Sequence, residues 1–175
     1  MNSGTIASVG GVLRNESATG SFGAVLASCI TPGMRIYLSG GLGAGKTTLV
    51  RAVLRALGYT GRVKSPTFTL VEPYSISRLY LYHFDFYRFN EPEELDDAGF
   101  RDCFDGTAVV LAEWPELAGD RLPAADLHVR LHVAGNAREV EITAGTPPGA
   151  SCIARLSAWF NREAAGRSAS PRADS

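Results

Sequence analysis

Gly40-Gly41-Leu42-Gly43-Ala44-Gly45-Lys46-Thr47 is the stretch whose reading decides the fold. It fits G-x-x-x-x-G-K-[ST], the P-loop that cradles nucleoside phosphates. Each residue type has a physical reason to be there. Glycines let successive backbone N–H groups curl inward and approach a phosphate closely. A helix starting just after the loop points its partly positive N-terminus at the same anion. Lys46 supplies an ammonium for the terminal phosphates, and the Thr47 hydroxyl supplies a ligand for Mg²⁺.

The flanks have the context that the motif requires. Before the loop, Met34–Ser39 is a short apolar run and reads as a strand. After it, Leu49, Val50, Val53, Leu54 and Leu57 recur on one face of a helix from Lys46 to about Leu57. Gly58 stands where such a helix stops.

A P-loop needs an acid at the end of another strand to help hold Mg²⁺ or orient water. Asp85 follows the apolar segment Leu79–Phe84, and Glu113 follows Val109–Ala112. Spacing leaves open which of them is the metal ligand and which the water organiser. Lys64-Ser65-Pro66-Thr67 lies between the P-loop helix and the next strand. It reads equally as a γ-phosphate-sensing switch and as a turn shaped by Pro66.

Further out, a strand is expected near Val9–Arg14 and a helix over Ala18–Ile30, with N-cap groups in Glu16–Thr19. Strands are expected over Thr67–Tyr74, Leu79–Phe86 and Thr107–Trp114, and a helix over Glu91–Phe104. Seven of the eighteen acids fall in residues 91–105, which reads as a solvated acidic face rather than a binding surface. Asp126–Ala134 alternates strictly, pairs as a hairpin with Arg138–Thr143, and sets His128, Arg130 and His132 on a solvent side. Two histidines there lack a third ligand for a metal. A last helix is expected over Ala150–Phe160. The organisation is an N-terminal segment 1–15, one P-loop domain 16–160 and a frayed tail 161–175. The fold class is α/β, a mixed and mainly parallel sheet flanked by helices.

Composition narrows the function. The 175 residues are 45% apolar and 20% charged, enough for one domain with a real core. A net charge of −1 excludes a bulk basic field for holding nucleic acid by its phosphates. No apolar run approaches the roughly 20 residues that span a bilayer, and no basic, apolar leader opens the chain. Cys29, Cys103 and Cys152 are far apart without metal spacing and read as reduced thiols of a cytoplasmic protein. Only Lys46 and Lys64 are lysines among seventeen basic residues, a compositional bias that leaves Lys46 where a compact ammonium is needed. No N-K-x-D signature for guanine is present. Asp96-Asp97-Ala98-Gly99 matches D-x-x-G only by spacing.

The residues quoted so far combine into a family resemblance. In order along about residues 16–145 stand Gly-x-Leu-Gly-Ala-Gly-Lys-Thr-Thr at 40–48, Lys64–Tyr74, His83-Phe84-Asp85-Phe86-Tyr87-Arg88, Pro92-Glu93-Glu94-Leu95 and Glu113-Trp114-Pro115. Together they resemble TsaE, the bacterial ATPase of tRNA threonylcarbamoyladenosine (t⁶A) biosynthesis. The resemblance implies ATP and Mg²⁺ as cofactors, TsaB- and TsaD-like proteins as partners, and tRNA as an indirect one. It implies that residues 40–48, Thr48 included, hold the triphosphate with Lys46 at the reacting end. Thr47 and Glu113 would ligate Mg²⁺, Asp85 would serve hydrolysis, and Lys64–Thr69 would switch. Trp114 would sit near the nucleotide, as would Arg138 and, beside the base, the segment opened by Glu16. Gly41 departs from the family, where that position is commonly acidic. Two other readings of a P-loop in a chain of this size are a small-molecule kinase and a nucleotide-dependent binding module.

Overall fold

The structure is a computed structural model that describes residues 7–77 and 79–168. One seven-stranded sheet runs in the order β1 (Ser8–Leu13), β7 (Ala137–Ala144), β6 (Leu127–Ala134), β2 (Arg35–Ser39), β5 (Val109–Glu113), β4 (Leu79–Asp85), β3 (Val71–Ile76). The pairings β6–β2, β2–β5 and β5–β4 are parallel, and the three outer pairings are antiparallel. Parallel strands thus occupy the centre of a mixed α/β sheet. Their near-continuous apolar runs require cover on both faces.

Alternation along the central strands divides the core. Ile36 and Leu38 of β2 and Leu111 of β5 face α1 (Glu16–Ala27), α2 (Lys46–Ala56) and α5 (Pro147–Ser168), where Phe22, Leu49 and Leu156 pack. Tyr37, Val110 and Ala112 face the other way, toward Phe84, Phe86 and Leu95. Two one-turn helices, α3 (Glu94–Asp97) and α4 (Pro115–Ala118), cover that side. Phe84 and Phe86 are fully buried and stack at 5.4 Å, each burial worth about 1.5–3 kcal/mol. Helices α1 and α2 approach closely because Gly23 meets Ala52, where a Cβ would stand 2.4 Å from the alanine methyl.

Several expected elements change shape. The helix expected over Glu91–Phe104 is α3 followed by a 3₁₀ turn at Phe100–Phe104. Gly99 breaks it at φ +71°. The break lets Phe100 and Phe104 turn onto Phe84, with ring centroids 5.4 and 5.2 Å away. Acids of this segment meet arginines: Arg121 bonds Glu93 and Asp96, and Arg101 bonds Asp96. The strand expected from Thr67 starts only at Val71, because Leu70 sits at φ +66° and its N–H bonds Pro66 O at 2.7 Å. Helix α1 begins earlier than expected, and its cap is Asn15, whose Oδ1 accepts from Ala18 N at 2.9 Å. Helix α5 runs through residues 161–168, so that part of the expected tail is helical, while residues 169–175 lie outside the described residues. Of the segment 1–15, Ser8–Leu13 is an edge strand of the same sheet, paired to β7. Cys29 and Cys152 are buried free thiols, and Cys103 is partly buried. No helix among the described residues is long and apolar enough to cross a membrane.

Candidate functional site

The site forms where three strand ends meet one helix start. Register places Leu38 of β2 beside Glu113 of β5, and Glu113 beside Asp85 of β4. Ligands of open α/β sheets bind at this carboxyl edge. The chain leaves β2 through Gly40 at φ +142°, passes Gly43 and Gly45 at +74° and +101°, and enters α2 at Lys46. Gly40 is fixed by more than its φ, because a Cβ there would meet Leu131 O of β6 at 2.3 Å. At Gly41, by contrast, a Cβ would meet nothing within 4 Å, and φ is not positive. The missing acid there is therefore not a demand of the backbone.

Lys46 is only 4% exposed. Its Nζ donates to Gly40 O at 2.6 Å and Gly41 O at 2.9 Å, and lies 3.9 Å from the centre of the Trp114 ring. Burial pulls its ammonium below the ordinary lysine value, opposed by the nearby carboxylates Glu113, Asp85 and Glu116. Trp114 itself holds a left-handed backbone at φ +57°, strain of about 1–3 kcal/mol for a residue with a side chain. Its N–H bonds Leu38 O at 3.2 Å, and its ring packs against Tyr87 at 5.1 Å.

The two strand-end acids, left open by spacing, have different surroundings. Glu113 Oε1 accepts from Thr47 Oγ1 at 2.8 Å and is 2.8 Å from His83 Nε2. Asp85 Oδ2 accepts from Ser65 Oγ and, at 3.3 Å, from Thr67 Oγ1, while Oδ1 accepts from Tyr87 N at 3.0 Å. Both carboxylates are 3% exposed. Lys46, Thr47, Asp85, Glu113 and Trp114 line one cavity of about 350 Å³, together with Leu42, Gly43, Gly45 and Thr48. Ser65 and Thr67 are the members of the 64–69 segment that reach it, and Lys64 is exposed.

Glu16, Thr48 and Arg138 line an adjoining cleft of about 150 Å³ with Asn15, Thr19 and Asn136. Arg138 is pinned to the loop: Nε donates to Ala44 O at 2.9 Å and Nη2 to Gly43 O at 3.3 Å. The sequence-derived set thus falls into two connected groups around the loop. A larger open groove of about 640 Å³ flanks Gly40 and Gly41 and is lined by His128, Arg130 and His132. His128 is half-buried there, 2.5 Å from Ser39 Oγ. Sequence reasoning missed His83, Asn15 and Asn136 as site members. For His83 the available signal was alternation, which sets it on the same side of its strand as Asp85.

A parallel-centred α/β sheet with this loop and two acids at adjacent strand ends defines the P-loop class. Comparison with known proteins narrows the class. The family model for "threonylcarbamoyl adenosine biosynthesis protein TsaE" matches residues 13–140. The TsaE protein of Haemophilus influenzae is 47% identical over 122 residues, 70% of this chain and 77% of that protein. That of Treponema pallidum is 36% identical over 132 residues, 75% of this chain and 97% of that one. The crystal structure of YdiB from Bacillus subtilis superposes with a TM-score of 0.76 at 30% identity, covering 90% of this chain and 99% of that one. The chain belongs to the TsaE family of threonylcarbamoyladenosine biosynthesis proteins.

Proposed function

We propose that this protein hydrolyses ATP with Mg²⁺ and, in the cytoplasm, uses the hydrolysis to support t⁶A formation on tRNA by a complex of TsaB- and TsaD-like partners. The observation that carries the reading is the Thr47–Glu113 hydrogen bond beside the buried Lys46, with Asp85 at the same level one strand away. The donor set suits the cation. One hydroxyl and one carboxylate are hard oxygen ligands, and Mg²⁺ in phosphate sites takes few protein ligands and completes its shell with phosphate and water. The loop suits the anion, because Gly43 and Gly45 hold left-handed backbone and a Cβ at Gly43 would meet nothing within 4 Å.

Thr47 and Glu113 would hold the metal, whose chemistry is to neutralise charge developing on the phosphates. Lys46 would exchange the carbonyls of Gly40 and Gly41 for phosphate oxygens, guided by the face of Trp114. Asp85 would orient the attacking water and take up its proton at Oδ2. That oxygen is now engaged by Ser65 and Thr67, so the 65–67 segment must move before Asp85 can act. A free protein that turns over slowly and a complex that turns over quickly follow from this arrangement. Arg138 would stiffen the loop from the base side, and Glu16 would border the base.

The test is phosphate release from ATP by the chain alone and with its TsaB- and TsaD-like partners. Stimulation by the partners, together with loss of tRNA t⁶A on depletion, is the expected result. No stimulation and unchanged t⁶A would sink the reading. Transfer of the γ-phosphate to a metabolite instead of water would replace it with the kinase reading.

A further inference from the structure

His83 is fully buried on β4, and the nucleotide chemistry proposed above does not use it. Its Nε2 lies 2.8 Å from Glu113 Oε1, and among the described residues its Nδ1 has no hydrogen-bond partner. Those two facts fix where the proton sits. An N–H buried without an acceptor is costly, so Nδ1 carries no hydrogen and Nε2 donates to the carboxylate.

The consequence concerns the aim of the carboxylate. Among the described residues, the two side-chain donors to the Glu113 carboxylate, His83 and Thr47, converge on Oε1. Oε2 is left for a cation or its water. The His83 imidazole fixes the carboxylate through one hydrogen bond at Oε1. From this geometry we infer that His83 is the positioning residue that locks Glu113 for divalent-cation binding, through an Nε2–H tautomer. The inference rests on the Mg²⁺–nucleotide reading above.

Substitutions separate positioning from mere packing. A glutamine side-chain amide nitrogen can reach the place of Nε2, whereas an asparagine amide nitrogen reaches only the place of Nδ1. The experiment measures Mn²⁺ affinity in the presence of ADP by electron paramagnetic resonance, and ADP affinity without metal, for the full chain. Variants are His83→Gln, His83→Asn and His83→Phe. Asn and Phe are expected to weaken Mn²⁺ binding about 10–100-fold, the range for loss of a group that orients a metal ligand. ADP affinity without metal should stay within about twofold, and Gln should restore most of the Mn²⁺ affinity. Imidazole ¹⁵N spectra of the wild-type chain should show Nε2 protonated and Nδ1 bare.

Unchanged Mn²⁺ affinity in both Asn and Phe variants overturns the inference, as does a Gln variant no better than Phe. A wild-type spectrum with the proton on Nδ1 overturns it without any variant, which keeps the test decisive if a substitution unfolds the core. A wild-type chain that binds no Mn²⁺ with ADP overturns the cofactor reading as well. Wild-type binding with indifferent variants overturns only the role of His83.

Discussion

Asp85 and Glu113 are neighbours in register, equally buried, and held by opposite kinds of structure. Glu113 is gripped by a helix residue, Thr47, and a strand residue, His83. Asp85 is gripped by two hydroxyls from the irregular 65–67 segment and by Tyr87 N. Helix and strand positions are held by cooperative backbone ladders, and loop positions open at lower cost. One acid is therefore set in a rigid wall, the setting that its proposed role as a metal ligand requires. The other is clasped by a wall that can leave. The difference teaches that a strand-end carboxylate is typed less by its own position than by what holds it.

Lys46 belongs to the rigid wall, and breaking it gives the largest loss of binding. Lys46→Ala should weaken ATP binding by about 1.5–3 kcal/mol, roughly 10–150-fold, the value of a charge-assisted hydrogen bond. Its thermal stability should stay within about 1 kcal/mol of the parent, because a buried ammonium held below its ordinary value by burial costs the fold rather than supports it. Isothermal titration with ATP and thermal denaturation check both halves. Undiminished affinity would remove Lys46 from the site.

The clasp is tested by Ser65→Ala combined with Thr67→Ala. Without the two hydroxyls, Asp85 Oδ2 is free before any partner arrives. Partner stimulation of phosphate release should shrink about 3–10-fold, mostly through a faster basal rate, since loss of one or two hydroxyl bonds is worth about 1 kcal/mol. An unchanged ratio of stimulated to basal rates would show that the 65–67 segment is not the gate.

The smallest effect is expected at Gly41. A Cβ there meets open space, so Gly41→Glu should alter stability by less than about 0.5 kcal/mol. Nucleotide affinity should stay within about threefold, because the loop offers phosphates its backbone more than its side chains. Calorimetry and ATP titration decide. A large loss of stability would contradict the open geometry.

The loop and its surroundings were the most legible part of the sequence. Gly40–Thr47 fixes a strand before it and a helix after it, and β2 and α2 lie within a residue or two of where the pattern puts them. The alternation at 126–134 and its hairpin partner were equally plain, because a period of two needs no tertiary help. What failed was local propensity overruled by packing. Acids and Pro92 announce a helix at 91–104, but Phe100 and Phe104 gain more by stacking on Phe84, and Gly99 permits the turn. β-Branched residues at 67–70 announce a strand, yet Leu70 is bent and Thr67 turns inward to Asp85. Asp85 and Glu113 could be listed as a pair but not typed, because Thr47, His83, Ser65 and Thr67 reach them from distant parts of the chain. The requirement at Gly40 was invisible for the same reason, since its cause is the carbonyl of Leu131.

The central claim is that Asp85 serves hydrolysis while Glu113 and the loop serve binding. Its most direct test is phosphate release from ATP by the partner-bound chain carrying Asp85→Asn, with ADP affinity measured on the same sample. The account predicts turnover lowered by about 10²–10⁴-fold, the range for loss of a general base, with affinity within about threefold of wild type. Turnover equal to wild type, or affinity lost together with turnover, would contradict it.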